Sequence, residues 1–151
     1  RPHNIYGPRM GMSHVIPEQF HNIYKSKDND SIEVFSVTHT RAFCYIDDAV
    51  EMIFRLMNSK ECIGETLNIG SQKPEITINE LVENCIKVAN KKIIINPVEG
   101  LEGSPSRRCP DMSKTKKLLD FESQISLKEG LAMTYGWYKT NIFSKNTTSA
   151  L

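Results

Sequence analysis

The clearest chemistry in this 151-residue sequence lies in its arginines: Arg41, and the adjacent pair Arg107-Arg108. A guanidinium stays charged at any working pH, and its planar fork of donors matches phosphate oxygens. Arg41 opens the run Thr40-Arg41-Ala42-Phe43-Cys44-Tyr45-Ile46-Asp47-Asp48, which places it at the edge of a rigid element. If the segment holding Arg107 and Arg108 is extended, successive side chains point to opposite faces, so only one of the two should face a ligand. The plainer reading is that each arginine is a solvated surface charge. Asn4, ahead of the Gly7-Pro8 turn, could orient a ligand hydroxyl or phosphate, though a lone asparagine there is more often a turn former.

Other reactive side chains carry weaker signals. His3, His14, His21 and His39 show no metal-ligand spacing. Cys109 follows two arginines, an environment expected to lower a thiol pKa, but no base stands near it in sequence. The pair Asp47-Asp48 resembles an acid pair, yet helix capping accounts for at least one of them.

These residues must be held by elements, and the central one is Phe43–Ile46, an aromatic and β-branched run that reads as a short buried strand. Asp48 then fits an N-cap, with Glu51 three residues on completing a capping box. Val50, Ile53, Phe54 and Met57 follow at helical spacing and predict an apolar face that packs on something. An earlier helix is predicted over 14–26, with Ser13 as a possible cap and Pro17 tolerated in its first turn. Ile32–Phe35 reads as a strand, and so does Glu65–Gly70. Thr77–Glu80 and Ser126–Glu129 are further capping boxes, opening helices over about 78–89 and 127–141. Lys92–Asn96 is a β-rich run, 97–108 a loop, and 111–119 a short helix, while 144–151 is a polar tail expected to fray. Alternating helices and short strands define an α/β or α+β chain.

Composition narrows the function classes. Nineteen basic against eighteen acidic residues leave a net charge of +1, which argues against bulk electrostatic binding of nucleic acid. The four cysteines lack paired spacing, so a reducing, cytoplasmic setting is expected, and no apolar run is long enough to span a bilayer. The opening Arg1-Pro2-His3, without an initiator Met, reads as the middle of a longer protein.

Taken together, Asn4-Ile5-Tyr6-Gly7-Pro8-Arg9-Met10, Val15-Ile16-Pro17, Thr40-Arg41 with Phe43–Asp48, Leu67-Asn68-Ile69-Gly70, and Arg107-Arg108 to Asp111 with Ser113-Lys114 stand in order at family-like spacing. The sequence resembles the C-terminal half of an extended short-chain dehydrogenase/reductase, among the NAD-dependent nucleotide-sugar epimerases, dehydratases and decarboxylases. The Phe43–Asp48 run and the Arg-Cys-Pro-Asp segment are particularly similar to UDP-glucuronate decarboxylases. The resemblance implies an α/β fold, the C-terminal part of an extended Rossmann-type enzyme and mainly its small α+β substrate-binding domain. Residues 1–143 would combine the last part of the cofactor sheet with that domain, and the N-terminal NAD-binding half would be absent.

Carried over by position, Asn4 would contact the sugar or diphosphate, Val34 and Phe35 would flank the base, Arg41 and Arg108 would grip the diphosphate, and Asp111 would lie near the ribose. Pro2 and His3 would lie near the nicotinamide of NAD, most of which the missing half would hold. Ser36-Val37-Thr38-His39 and Ala42 replace a glycine-rich turn and an Asp common in the family. The sequence lacks the glycine fingerprint of a dinucleotide site. No tyrosine, Tyr135 and Tyr138 included, is read as half of the catalytic Tyr-Lys pair, so this chain alone is expected to be inactive. The resemblance implies a nucleotide-sugar partner and a homodimer at full length. A noncatalytic nucleotide-sugar binding fragment and an interaction domain remain as alternatives.

Overall fold

The computed structural model describes residues 1–100 and 103–145. The expected frayed tail therefore lies mostly outside the described residues. In chain order the elements are β1 (Ile5–Tyr6), α1 (Val15–Lys25), β2 (Ser31–Phe35), β3 (Thr40–Ala42), β4 (Cys44–Tyr45) and α2 (Ile46–Asn58). A short 3-10 turn, Lys60–Cys62, leads to β5 (Glu75–Thr77), α3 (Ile78–Ala89), β6 (Ile94–Val98), β7 (Arg107–Arg108), α4 (Ser113–Leu119) and α5 (Leu127–Tyr138), which ends in a π-helical turn, Lys139–Phe143.

The strands form three small sheets. β1 pairs with β4 in parallel, and beside them Pro2 bridges Ile69 in parallel. β2 pairs with β6 in parallel over five residues, from Ser31 opposite Ile94 to Phe35 opposite Val98. β3 is the centre of the third sheet, antiparallel to β5 and parallel to β7. The strand expected over Glu65–Gly70 is reduced to that single bridge at Ile69, and the loop expected over 97–108 contributes residues to β6 and β7.

Local chemistry explains the best-defined helices. At α3 the Glu80 carboxylate accepts from the Thr77 N–H at 2.7 Å while Thr77 Oγ1 accepts from the Glu80 N–H at 3.1 Å, and Ser126 with Glu129 repeats the arrangement at α5. Each reciprocal pair satisfies backbone donors that helix geometry leaves without partners. α1 has no such side-chain cap, and its N-cap is His14 rather than Ser13. Beyond α3, Lys91 Nζ donates to three carbonyls at the end of α1, Ile23 at 2.8 Å, Tyr24 at 2.7 Å and Ser26 at 2.5 Å.

Two hydrophobic clusters result. The first gathers α1, α3 and α5 around Phe20, Ile23, Leu81, Val82 and Leu131, all fully buried, each contributing about 1.5–3 kcal/mol on burial. Gly130 lets α5 approach the edge-packed Tyr6 and Tyr45 rings, because a Cβ there would collide with the Tyr6 hydroxyl. The Tyr138 hydroxyl donates to the Met10 carbonyl, tying the end of α5 to the chain entering α1. The second cluster joins Cys44, Ala49, Met52, Leu67, Ile69, Met112 and Leu119 between α2 and α4.

α2 departs from the sequence reading in two ways. Its N-cap is Tyr45 without a side-chain cap, and the helix already begins at Ile46, so Asp48 is the third residue of its first turn and not the cap. The Asp48 carboxylate instead accepts from the backbone N–H groups of Gln124 and Ile125, at 3.1 and 2.9 Å, while Glu51 pairs with Arg55 one turn on. Moreover the stripe Val50, Ile53, Phe54 and Met57 faces solvent, and Ala49 and Met52 supply the packing.

Candidate functional site

The site is built on β3. Parallel pairing sets Arg41 opposite Arg108 and Thr40 opposite Arg107, so the two registers present different faces of one sheet. On one face Arg107 grips Glu75 through two nearly equal bonds, 2.8 and 2.7 Å, and Thr40 Oγ1 donates to the same carboxylate at 2.6 Å. Arg107 first and Thr40 second hold the Glu75 carboxyl down to about 2. That arginine is already neutralised.

The other face differs. Arg41 donates to the carbonyls of Thr40 at 2.7 Å and Pro105 at 2.8 Å, and neither Arg41 nor Arg108 forms an ion pair with a carboxylate among the described residues. Burial first, and then the neighbouring charge of Arg108, push the Arg41 pKa down. Asn4, at φ 44°, fixes their backbone: its Nδ2 donates to the Ala42 carbonyl at 2.9 Å and to the Arg108 carbonyl at 3.2 Å.

Both arginines line a cavity of about 690 Å³, together with Pro2, Asn4, Val34 and Phe35. Six of the eight residues singled out from the sequence thus share one space. The other two lie outside its lining. His3 is hydrogen-bonded through Nε2 to the Asn68 side chain at 3.1 Å, and the Asp111 carboxylate accepts from the Ser113 N–H at 2.9 Å at the start of α4. Hydrogen bonds from Ser113 hold the Asp111 carboxyl below the usual range.

Two further expectations change. Burial and the nearby Glu75 push the Cys109 thiol up rather than down, because the charge of Arg107 is taken by Glu75. Tyr135 does have a lysine four residues on, Lys139, a spacing the sequence reading passed over. The pair is not placed for catalysis: Tyr135 packs on Phe20 with ring centroids 4.9 Å apart, within the first cluster and away from the cavity lining.

The sequence reading also missed Gln19. It lines the same cavity from α1, is 4% exposed, and its Oε1 has no hydrogen-bond partner among the described residues. The available signal was a polar residue at the spacing of the apolar stripe Ile16, Phe20 and Ile23. Toward NAD the chain offers Pro2 at the cavity wall and His3 beside it, with no glycine-rich strand-turn-helix to cradle a pyrophosphate, so these residues do not form a cofactor site by themselves. No group of three His, Cys, Asp or Glu among the described residues could hold a metal ion, and no helix is long and apolar enough to cross a membrane.

The mixed α/β structure, with its small and partly parallel sheets, has the fold of part of the Rossmann-type epimerases, and two arginines line the cavity beside its sheets. Residues 1–70, a little under half of the chain, match the NAD dependent epimerase/dehydratase family. The chain is 35% identical over 132 residues to UDP-glucuronic acid decarboxylase 3 of Arabidopsis thaliana, covering 86% of this chain and 37% of that protein. GDP-mannose 3,5-epimerase of the same plant is 34% identical over 146 residues, covering 94% and 37%. Among solved structures, UDP-glucuronic acid 4-epimerase from Bacillus cereus in complex with UDP-glucuronic acid and NAD superposes with a TM-score of 0.82 at 28% identity, covering 92% of this chain and 44% of that one. The chain spans less than half the length of each of these relatives.

Proposed function

We propose that this chain is the nucleotide-sugar-binding part of an NAD-dependent enzyme that epimerises, dehydrates or decarboxylates the sugar through a 4-keto intermediate. The observation that carries the reading is the pair Arg41 and Arg108, held on one face of β3 and β7 with no ion-paired carboxylate among the described residues and lining a cavity of about 690 Å³. A diphosphate supplies the two negative charges that this pair lacks. Asn4 positions Arg108 through its backbone, and Phe35, half exposed at the cavity wall, offers a flat apolar surface to a base. Asp111 is the candidate ribose contact, and Pro2 and His3 are the candidate nicotinamide contacts.

In such an enzyme bound NAD would supply reversible hydride transfer at the sugar, and most of its binding site would lie in the half of the family's fold that holds the glycine fingerprint. Residues 1–143 then comprise the edge of the cofactor domain with the substrate domain, and the full-length protein works as a cytoplasmic homodimer. Four cysteines free of disulfides suit a reducing compartment. The absence of a glycine fingerprint from the sequence favours a second reading for the chain by itself, a binding unit without turnover.

Calorimetric titration with UDP and with GDP tests the site. Saturable binding that weakens with added salt is expected, since exposed charges are screened over about 10 Å at 0.1 M. Arg41→Ala and Arg108→Ala should each weaken it about tenfold or more, the size of a lost charge-assisted bond, whereas Arg107→Ala should leave it nearly unchanged. Absence of binding to either diphosphate, or an equal loss in Arg107→Ala, overturns the reading.

A further inference from the structure

The two arginines that line the cavity are held in different ways. Arg41 is pinned at its tip: Nη1 donates to the Thr40 carbonyl at 2.7 Å and to the Ser106 carbonyl at 3.4 Å, and Nη2 donates to the Pro105 carbonyl at 2.8 Å. The Ser106 carbonyl is itself anchored where the chain enters β7, because it also accepts from the Thr40 N–H at 2.8 Å. Arg108 is exposed, and although Asn4 holds its backbone, its guanidinium makes no hydrogen bond or ion pair among the described residues.

A guanidinium carries five N–H groups in one rigid plane, a single one on Nε and two on each Nη. In Arg41 the three carbonyls take up the Nη1 end and part of Nη2, which leaves the Nε–H and one hydrogen of Nη2. Nε and Nη2 share an edge of the plane, and such an edge meets two oxygens of one phosphoryl group with two parallel bonds. Nε is unbonded among the described residues, yet it is not a buried orphan: it is open to solvent, on a side chain that lines the cavity. A side chain already held in place loses less freedom when a ligand arrives. Arg108 has no such support and must be ordered by the anion itself.

Resting on the nucleotide-sugar reading, we infer that Arg41 is the fixed fork of the site, gripping one phosphoryl group through Nε and Nη2, and that Arg108 is an adjustable charge. Lysine separates the two roles. It keeps the charge of arginine and lacks the planar fork, so it should fail at position 41 and serve at position 108.

The test is calorimetry with inorganic pyrophosphate and with UDP on the full-length protein, as wild type, Arg41→Lys, Arg41→Ala, Arg108→Lys and Arg108→Ala, with melting temperatures taken alongside. Arg41→Lys should lose about tenfold or more in affinity, close to the loss in Arg41→Ala, while Arg108→Lys should lose only about threefold and Arg108→Ala about tenfold. Equal losses in the two lysine variants, or a larger loss in Arg108→Lys, overturn the inference and leave the nucleotide-sugar reading standing. A wild type that binds neither ligand, or alanine variants that bind as well as the wild type, sinks both. A second measurement needs no variant: in protein carrying isotope-labelled arginine, the Nε–H resonance of Arg41 should shift and exchange more slowly with water when pyrophosphate saturates the site. If Arg41→Lys does not fold, that resonance decides, and an Nε–H signal unmoved at saturation overturns the inference.

Discussion

The α1–α3–α5 cluster and the α2–α4 cluster use similar residues and close to different degrees. In the first, Phe20, Leu81, Val82 and Leu131 are fully buried, and helix ends are tied across the interface by Lys91 and by the Tyr138 hydroxyl. In the second, only the Ala49–Met52 side of α2 is covered, while Phe54 is 63% and Met57 77% exposed on the opposite side. Packing of an amphipathic face is the main source of helix stability in proteins, so the first cluster is the part of this chain that coheres on its own contacts. It also carries α1, and so Gln19, to the cavity. Asp48 is the seam between the two regions, reaching from α2 to the backbone just ahead of α5.

The contrast can be sharpened by mutation. Leu81→Ala, in the middle of the closed cluster, should cost about 2–5 kcal/mol in chemical denaturation, and a loss below about 1 kcal/mol would mean the cluster is loosely packed. Asp48→Ala should cost about 1–3 kcal/mol by taking a charged acceptor from two partly buried hydrogen bonds. It should also raise amide exchange at Gln124 and Ile125, and unchanged exchange there would remove the seam. Phe54→Ser, on the open side, should shift stability by no more than about 0.5 kcal/mol. The same change should reduce self-association in sedimentation, because contiguous exposed apolar surface drives it. A large destabilisation by Phe54→Ser would erase the difference between the two regions.

What could be read in advance was local. Thr77–Glu80 and Ser126–Glu129 closed as capping boxes because every partner lies within four residues. Asp48 and Glu51 show the same spacing and did something else, since two backbone donors 76 and 77 residues away claimed the carboxylate. The alternation of Arg107 and Arg108 was legible from strand geometry alone, and the pairing of β7 with β3 supplied the partner, Arg41, that turns one of them toward the cavity. Gln19 was hidden by the opposite effect: an apolar stripe reads clearly enough that its one polar member is passed over. The solvent-facing side of α2 was misjudged because periodicity names the apolar face and not what covers it.

Lys91 gives the closed cluster a chemical voice. With its ammonium protons directed at the carbonyls of Ile23, Tyr24 and Ser26, the amine is no nucleophile until α1 and α3 part. An acylating reagent will therefore modify exposed lysines such as Lys27 first and reach Lys91 only in molecules whose joint has opened. The mass of a single peptide then times the breathing of the core, with no label engineered in.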